Sequence, residues 1–319
     1  MNTIRAFLQL IRWTNLLFIG LTQIIFYFFI VQPLILSSGM QGNTVLTDQS
    51  LALLMVASIC IAAAGNIIND YFDVNIDLIN KPERVVLEIN ISRRAAILLH
   101  LVLSFIGLLL SLYLSLTART LAVLIGNMLA IILLWAYSAG FKKRLLSGNI
   151  LIALLTAWIL WVVYFAAGGR LFYYYGFQRL SGFLDLRKLY LITAVYSGFA
   201  FITTIVREVI KDMEDREGDE KHHCKTIPIV WGIPAAKIFC LVWLSVLIVA
   251  LAGISGYAFL SGWWWLSIYL SLLVMLPSIF VFRSLQKAIS VKDYHRLSNN
   301  MKYIMLTGVL SICLFKFIL

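Results

Sequence analysis

Charge is scarce in this chain: Asp, Glu, Lys and Arg make up 13% of 319 residues, against 61% hydrophobic. The mean hydropathy is +0.92, and apolar stretches of about twenty residues recur between short polar breaks. So little charge excludes an ordinary soluble domain, which would leave too much hydrocarbon facing water. The apolar runs lack the polar alternation of barrel strands, and backbone groups in lipid must be satisfied within their own segment, so the expected fold class is all-α. Cysteine is sparse too. Cys60, Cys224, Cys240 and Cys313 are scattered with no CxxC spacing, which argues against a disulfide framework or a zinc site. Histidine is rare, and the pair His222 and His223 beside Cys224 would point about 100° apart on a helix with no partner cluster, so these read as solvated loop residues. The first apolar run follows Arg5 and Arg12 without a small-residue cleavage site, and reads as a retained helix rather than a signal peptide.

What the chain does have is nine long apolar runs, centred on roughly residues 25, 60, 105, 129, 160, 200, 243, 272 and 309. Each is long enough for a helix to cross about 30 Å of hydrocarbon. The expected architecture is one polytopic membrane domain over residues 1–319, a bundle of nine transmembrane helices. The net charge of +11 does not point to nucleic acid, because the basic residues occupy short connections and form no single stripe. With the N-terminus inside, 20 of the 26 Lys and Arg residues fall in inside segments. That asymmetry predicts a cell-membrane protein whose N-terminus faces the cytoplasm. Two further segments read as interfacial: "GGRLFYYYGFQRLSGFLDLRK" at 168–188 as a segment lying on the outer surface, and "GWWWLS" at 262–267 as part of an aromatic belt.

The acids are placed less evenly still. Of fifteen Asp and Glu residues, five lie between Asp70 and Glu88 and seven between Glu208 and Glu220, both at the inside end of a run. In "NDYFDVNIDLINKPER", Asp70, Asp73 and Asp77 follow D-x2-D-x3-D, and Asp212, Asp215 and Asp219 in "KDMEDREGDEKHH" repeat it. On a helix these positions fall within about 60°, so each trio is expected on one face. Asn66 and Glu208 extend those faces one turn upstream. Carboxylates about 6 Å apart repel by about 3 kcal/mol at an effective dielectric of 20, so a cation should neutralise them. Oxygen donors without a Cys or His cluster favour Mg²⁺, which is completed by waters and phosphate oxygens. Lys81 and Arg84 follow the first trio, Lys211 adjoins the second, and "SAGFKKRLLSGN" brings Lys142, Lys143 and Arg144 to the same membrane side. Metal plus these cations suits a diphosphate. A diphosphate bound at the surface of an oily bundle points to an isoprenyl diphosphate, whose allylic carbon, once the diphosphate leaves, shares its positive charge through conjugation until an acceptor nucleophile attacks it. A transporter would instead hold its acids near the bilayer midplane, and here they gather at the ends of runs.

"AGNIINDYFDVNIDLINKPER" and "REVIKDMEDREGDEKHHCKTIPIVWG" resemble the two aspartate motifs of the UbiA superfamily of intramembrane prenyltransferases. "IRWTNLLF" and "YSAGFKKRLLSGN" extend the resemblance over nearly the whole chain. It implies nine helices around a central cavity, Mg²⁺-dependent diphosphate binding, and transfer of a prenyl chain to a lipophilic acceptor, with the lipid bilayer as the setting and no protein partner indicated. By position, Asn69, Asp70, Asp73 and Asp77 would serve one metal site and Asp212, Asp215 and Asp219 another. Asp73, Asp77, Asp215 and Asp219 would act in catalysis together with Tyr137. Lys81, Arg84, Lys142, Lys143, Arg144 and Lys211 would contact substrate, with Asn66. Arg12 and Asn15 stand where the family often shows Arg-Pro-x-Asn, with Trp13 in place of the proline. The run "NDYFDVNIDLINKPER" and the "TIPI" after the second motif look most like the geranylgeranylglyceryl phosphate branch, which prenylates a glycerol hydroxyl. That branch commonly continues with prolines and a glycine where this chain has "VVLEINISRR", so an aromatic acceptor stays open at this point.

Overall fold

The structure, a computed structural model, describes residues 3–37, 46–80, 82, 85–180 and 184–318. Among these, nine helices are long and apolar enough to cross a membrane: Trp13–Ser37, Asp48–Asn80, Arg93–Thr117, Ala122–Ala139, Ser147–Gly169, Arg187–Glu214, Gly232–Leu260, Trp264–Lys287 and Val291–Phe317. We number them spans 1 to 9. They coincide with the nine runs read from sequence. Extended structure among the described residues amounts to one isolated bridge, Leu87 with Ile91. The chain forms two compact units.

The first unit comprises Met1–Phe141 and Trp158–Ala194. Within lipid, helices gain little by hiding apolar surface from one another, so close packing and hydrogen bonds must hold them together. Small residues supply the first. A side chain at Gly107 would meet Ile61 Cγ1 at 2.6 Å, and one at Gly65 would meet Leu134 Cδ1 at 2.8 Å. Polar ties supply the second. Gln23 Nε2 donates to Ser58 Oγ at 2.9 Å, Asn127 Nδ2 to Ser111 Oγ at 2.8 Å, and Trp158 Nε1 to Asn127 Oδ1 at 2.9 Å. After span 2 the chain turns tightly through Glu88, whose φ is 69°, and tucks Leu87 into a cluster with Leu10, Ile67, Val74 and Ala96.

The second unit comprises Lys142–Ala157 and Val195–Leu319. Gly308 makes room for the Phe199 ring, which a Cβ there would meet at 2.3 Å. Tyr196 Oη and Ser311 Oγ share a hydrogen bond of 2.8 Å, and Tyr269 Oη donates to the Thr307 carbonyl at 3.0 Å. Span 9 opens on a capping box between Ser290 and Asp293, which satisfies two otherwise orphaned backbone donors.

Two spans widen locally into π-helix, at Tyr27–Val31 and at Leu270–Met275, each just ahead of a proline, Pro33 and Pro277. Proline has no N–H and its ring pushes the carbonyl four residues back, so the preceding turn opens. The helices Ser147–Leu180 and Leu184–Glu214 run into the 168–188 segment, of which residues 181–183 lie outside the described set. Length positions the acids. The helix Asp48–Asn80 has 33 residues, or about 50 Å at 1.5 Å per residue. Hydrocarbon takes up about 30 Å of that, which leaves the last turns, where the first aspartate trio sits, free of the need to face lipid.

Candidate active site

In the first unit, Asp70, Asp73 and Asp77 lie on the continuous helix Asp48–Asn80, on one face as the spacing requires. Asp73 is 3% exposed and Asn69 is 9% exposed. Asn69 Nδ2 donates to Asp73 Oδ2 at 2.8 Å, while Asn69 Oδ1 is buried without a hydrogen-bond partner among the described residues. A buried amide oxygen beside a carboxylate is a donor of the kind that a hard cation can use. Arg12 occupies the corner between the helices Thr3–Leu10 and Trp13–Phe26, with φ 53°. That corner is pinned by Asn66 Nδ2 donating to the Ile11 carbonyl at 2.9 Å. Arg12 Nη2 reaches Asp70 Oδ1 at 2.6 Å. The charge of Asp70 above all, with Asp73 and Asp77 beyond it, holds the Arg12 guanidinium yet more firmly protonated than usual.

Asn66 therefore spends its amide group on backbone and Arg12 spends its own on an aspartate. Asn15 is exposed, and its N–H donates to the Arg12 carbonyl at 2.8 Å. Tyr137 is half-buried near the end of span 4. Arg93 pairs with Glu88 and lies over the Tyr71 ring, 5.8 Å from its centre. Lys81 and Arg84 lie outside the described residues.

In the second unit, the second trio does not lie on one uninterrupted helix face. Asp212 is in the last turn of the helix Leu184–Glu214, Asp215 breaks it with φ −91° and ψ 8°, and Asp219 belongs to the short helix Arg216–Lys221. The sequence spacing was right for a helix, but the backbone at Asp215 takes the bridge conformation and re-aims the last carboxylate. Asp219 is 5% exposed, and Asp212 Oδ2 accepts from Asn149 Nδ2 at 2.8 Å. Lys225 N–H donates to the Lys143 carbonyl at 2.8 Å. This bond ties the connection that carries Lys142, Lys143 and Arg144 to the chain just beyond Asp219. Lys142 is half-buried, and Lys143 and Arg144 are exposed. Lys211 Nζ and Arg207 Nη1 contact Glu208 at 3.0 and 2.8 Å. His295 Nδ1 lies 2.9 Å from Glu214 Oε1. The 222–224 turn is only partly solvated: His223 is exposed, His222 half-buried, and Cys224 is buried with its N–H donating 2.9 Å to the Asp219 carbonyl.

Sequence reasoning missed Asn149 and the Arg12–Asp70 pair. Asn149 carried a signal, a carboxamide just inside the start of an apolar run, but nothing in its neighbours named its partner 63 residues away. Among the described residues no three His, Cys, Asp or Glu side chains already converge as a cage for a metal. The donors available are carboxylate and amide oxygens, including the unpartnered Asn69 Oδ1. That set fits Mg²⁺, which needs only one or two carboxylates because it keeps waters and phosphate oxygens.

These features define a polytopic helical membrane protein with two acidic, oxygen-only clusters, one beside Arg12 in the first unit and one beside Lys211 in the second. The UbiA prenyltransferase family profile matches residues 16–305, and the chain belongs to that family, which makes it a prenyltransferase. It is 29% identical over 264 residues to the digeranylgeranylglyceryl phosphate synthase of Methanosphaera stadtmanae, covering 81% of this chain and 86% of that one. With the enzyme of the same name from Thermococcus gammatolerans it shares 33% identity over 229 residues, covering 72% and 70%. Among solved structures, one described as digeranylgeranylglyceryl phosphate synthase in membranes superposes with a TM-score of 0.63 at 22% identity, over 98% of this chain and 99% of the other. A UbiA homolog from Archaeoglobus fulgidus bound to GPP and Mg²⁺ gives 0.55 at 16% identity, over 96% and 99%. At such identities these structures speak for the fold alone.

Proposed function

We propose that the protein transfers a geranylgeranyl group from its diphosphate to the glycerol hydroxyl of geranylgeranylglyceryl phosphate. The observation that carries this reading is the similarity to synthases of digeranylgeranylglyceryl phosphate over most of the length of both chains. The family match runs through both compact units, which supports residues 1–319 acting as one catalytic domain. The excess of basic residues in alternate connections supports an orientation in the cell membrane with the N-terminus and active site toward the cytoplasm.

Bound Mg²⁺, as in the Archaeoglobus homolog, would neutralise the donor's diphosphate and make it a better leaving group. Asn69, Asp70, Asp73 and Asp77 would hold one ion, and Asp212, Asp215 and Asp219 another. Their donor chemistry and the unused Asn69 Oδ1 support that role. Lys81, Arg84, Lys142, Lys143, Arg144, Lys211 and Arg12 would balance phosphate charge, and Tyr137 would orient the reacting groups. The prenyl C–O bond breaks with its electron pair leaving on diphosphate. The allylic carbon then carries the positive charge until the glycerol oxygen attacks it and releases its proton. Carboxylates close by favour a developing cation, and apolar walls exclude water that would otherwise capture it.

The test is product identification. Purified protein in lipid nanodiscs, given labelled geranylgeranyl diphosphate, Mg²⁺ and either geranylgeranylglyceryl phosphate or an aromatic acid, should yield a diether lipid by mass. Label appearing only on the aromatic acid would overturn the acceptor assignment.

A further inference from the structure

Span 6 carries a third set of polar groups at the spacing of the aspartate trios. Thr204, Arg207 and Lys211 stand at i, i+3 and i+7, within about 60° on one helix face. Two of the three are poorly provided for. Thr204 is 3% exposed, and its Oγ1 has no hydrogen-bond partner among the described residues. The buried Nε of Arg207 has none either. Thr22, Thr193, Thr203 and Thr307 each donate to the carbonyl four residues back, at 2.8, 2.7, 2.8 and 3.0 Å. That bond is open to any threonine in a helix, and Thr204 does not make it. Glu208 takes Arg207 Nη1 at 2.8 Å and Lys211 Nζ at 3.0 Å, so one carboxylate faces two cations.

Two unused donors, one of them on a guanidinium, inside a membrane-spanning segment are unfavourable unless an acceptor completes them. A guanidinium, an ammonium and a hydroxyl on one face are the donors that grip phosphate oxygens. Thr204 precedes Asp212 by eight residues, about 12 Å along the axis, while Lys211 adjoins Asp212, so this face runs from the acidic site up into the span.

We propose that Thr204, Arg207 and Lys211 seat the phosphate monoester of the acceptor lipid and thereby select phosphorylated glyceryl ethers over neutral ones. This rests on the glyceryl phosphate acceptor proposed above. The donor diphosphate shares the same chemistry, so the test must separate the two. Full-length protein in nanodiscs is assayed with geranylgeranyl diphosphate and, in turn, geranylgeranylglyceryl phosphate or its dephosphorylated alcohol. Thr204→Val and Arg207→Gln should each raise KM for the phosphorylated acceptor about tenfold or more, the loss of one charge-assisted hydrogen bond. The same variants should leave KM for the donor, and turnover of the neutral alcohol, near wild type. Arg207→Lys should recover part of the loss.

Equal rises in KM for donor and acceptor, equal effects on both acceptors, or no effect would each overturn the seat, as would a wild-type enzyme indifferent to the phosphate. Should Arg207→Gln fail to fold, Thr204→Val, which removes only a hydroxyl, decides alone. The two readings fail differently. A wild type that prenylates only an aromatic acid defeats both, whereas variants that keep wild-type kinetics with the phosphorylated acceptor defeat the seat alone.

Discussion

Under the proposed role of Asp212 in holding Mg²⁺, replacing Asn149 by leucine should weaken the hold on the ion without abolishing the chemistry. Asn149 is 7% exposed, and its amide sits 2.8 Å from Asp212 Oδ2. A hydrogen bond to a charged acceptor contributes about 1.5–3 kcal/mol, which at about 1.4 kcal/mol per decade corresponds to roughly 10- to 150-fold in an equilibrium constant. Loss of a group that orients a metal-binding carboxylate typically lowers metal affinity by about 10–100-fold, and the two ranges agree. Asn149→Leu keeps the branched side-chain shape but releases Asp212, so the Mg²⁺ concentration for half-maximal diphosphate release should rise by about 10–100-fold. The rate at saturating Mg²⁺ should stay within a few-fold of wild type. Asn149→Asp, which sets a second carboxylate against the first, should do at least as much damage. The assay is initial-rate diphosphate release across a Mg²⁺ titration, with secondary structure checked by circular dichroism. A folded Asn149→Leu enzyme with the wild-type Mg²⁺ curve would refute the reasoning, as would a loss that saturating Mg²⁺ does not recover.

Under the proposed metal-holding role, Asp73→Ala and Asp215→Ala should each remove most turnover while the protein stays folded; wild-type rates from either folded variant would remove its role. Leu87→Ala should lower thermal stability, since Leu87 is 2% exposed in its cluster and core leucine truncations cost about 2–5 kcal/mol; an unchanged Tm would mean the turn after span 2 packs less firmly than described. Gly126→Ala should destabilise strongly, because a Cβ there would stand 2.0 Å from Trp158 Cζ2 and the ring is held by its hydrogen bond to Asn127; detergent melting curves would show it, and a neutral result would require the ring to have another place to go.

The nine spans were legible because lipid imposes one demand on every residue of a crossing helix, and runs such as 93–117 meet it without ambiguity. The aspartate motifs were legible for a complementary reason: twelve of fifteen acids crowd two short stretches of a chain that otherwise avoids charge. Contacts between distant positions were not. Arg12 and Asp70 are 58 residues apart, and a periodicity argument places each on its own helix without saying which arginine meets which acid. The break at Asp215 escaped because D-x2-D-x3-D is helical spacing, and only the local backbone reveals that the helix ends between the second trio's members. The π turns ahead of Pro33 and Pro277 are a tertiary answer to a local defect. A proline in a span announces a disturbance but not its form.

As proposed, a glycerol oxygen replaces diphosphate on the allylic carbon in a Mg²⁺-dependent step. Geranylgeranyl diphosphate carrying ¹⁸O in the bridge between carbon and phosphorus, turned over with unlabelled geranylgeranylglyceryl phosphate, follows that oxygen. Every heavy oxygen should leave in the released diphosphate, only when Mg²⁺ is present, and the diether product should carry none. Heavy oxygen retained in the lipid product, or turnover undiminished by chelation of Mg²⁺, would contradict it.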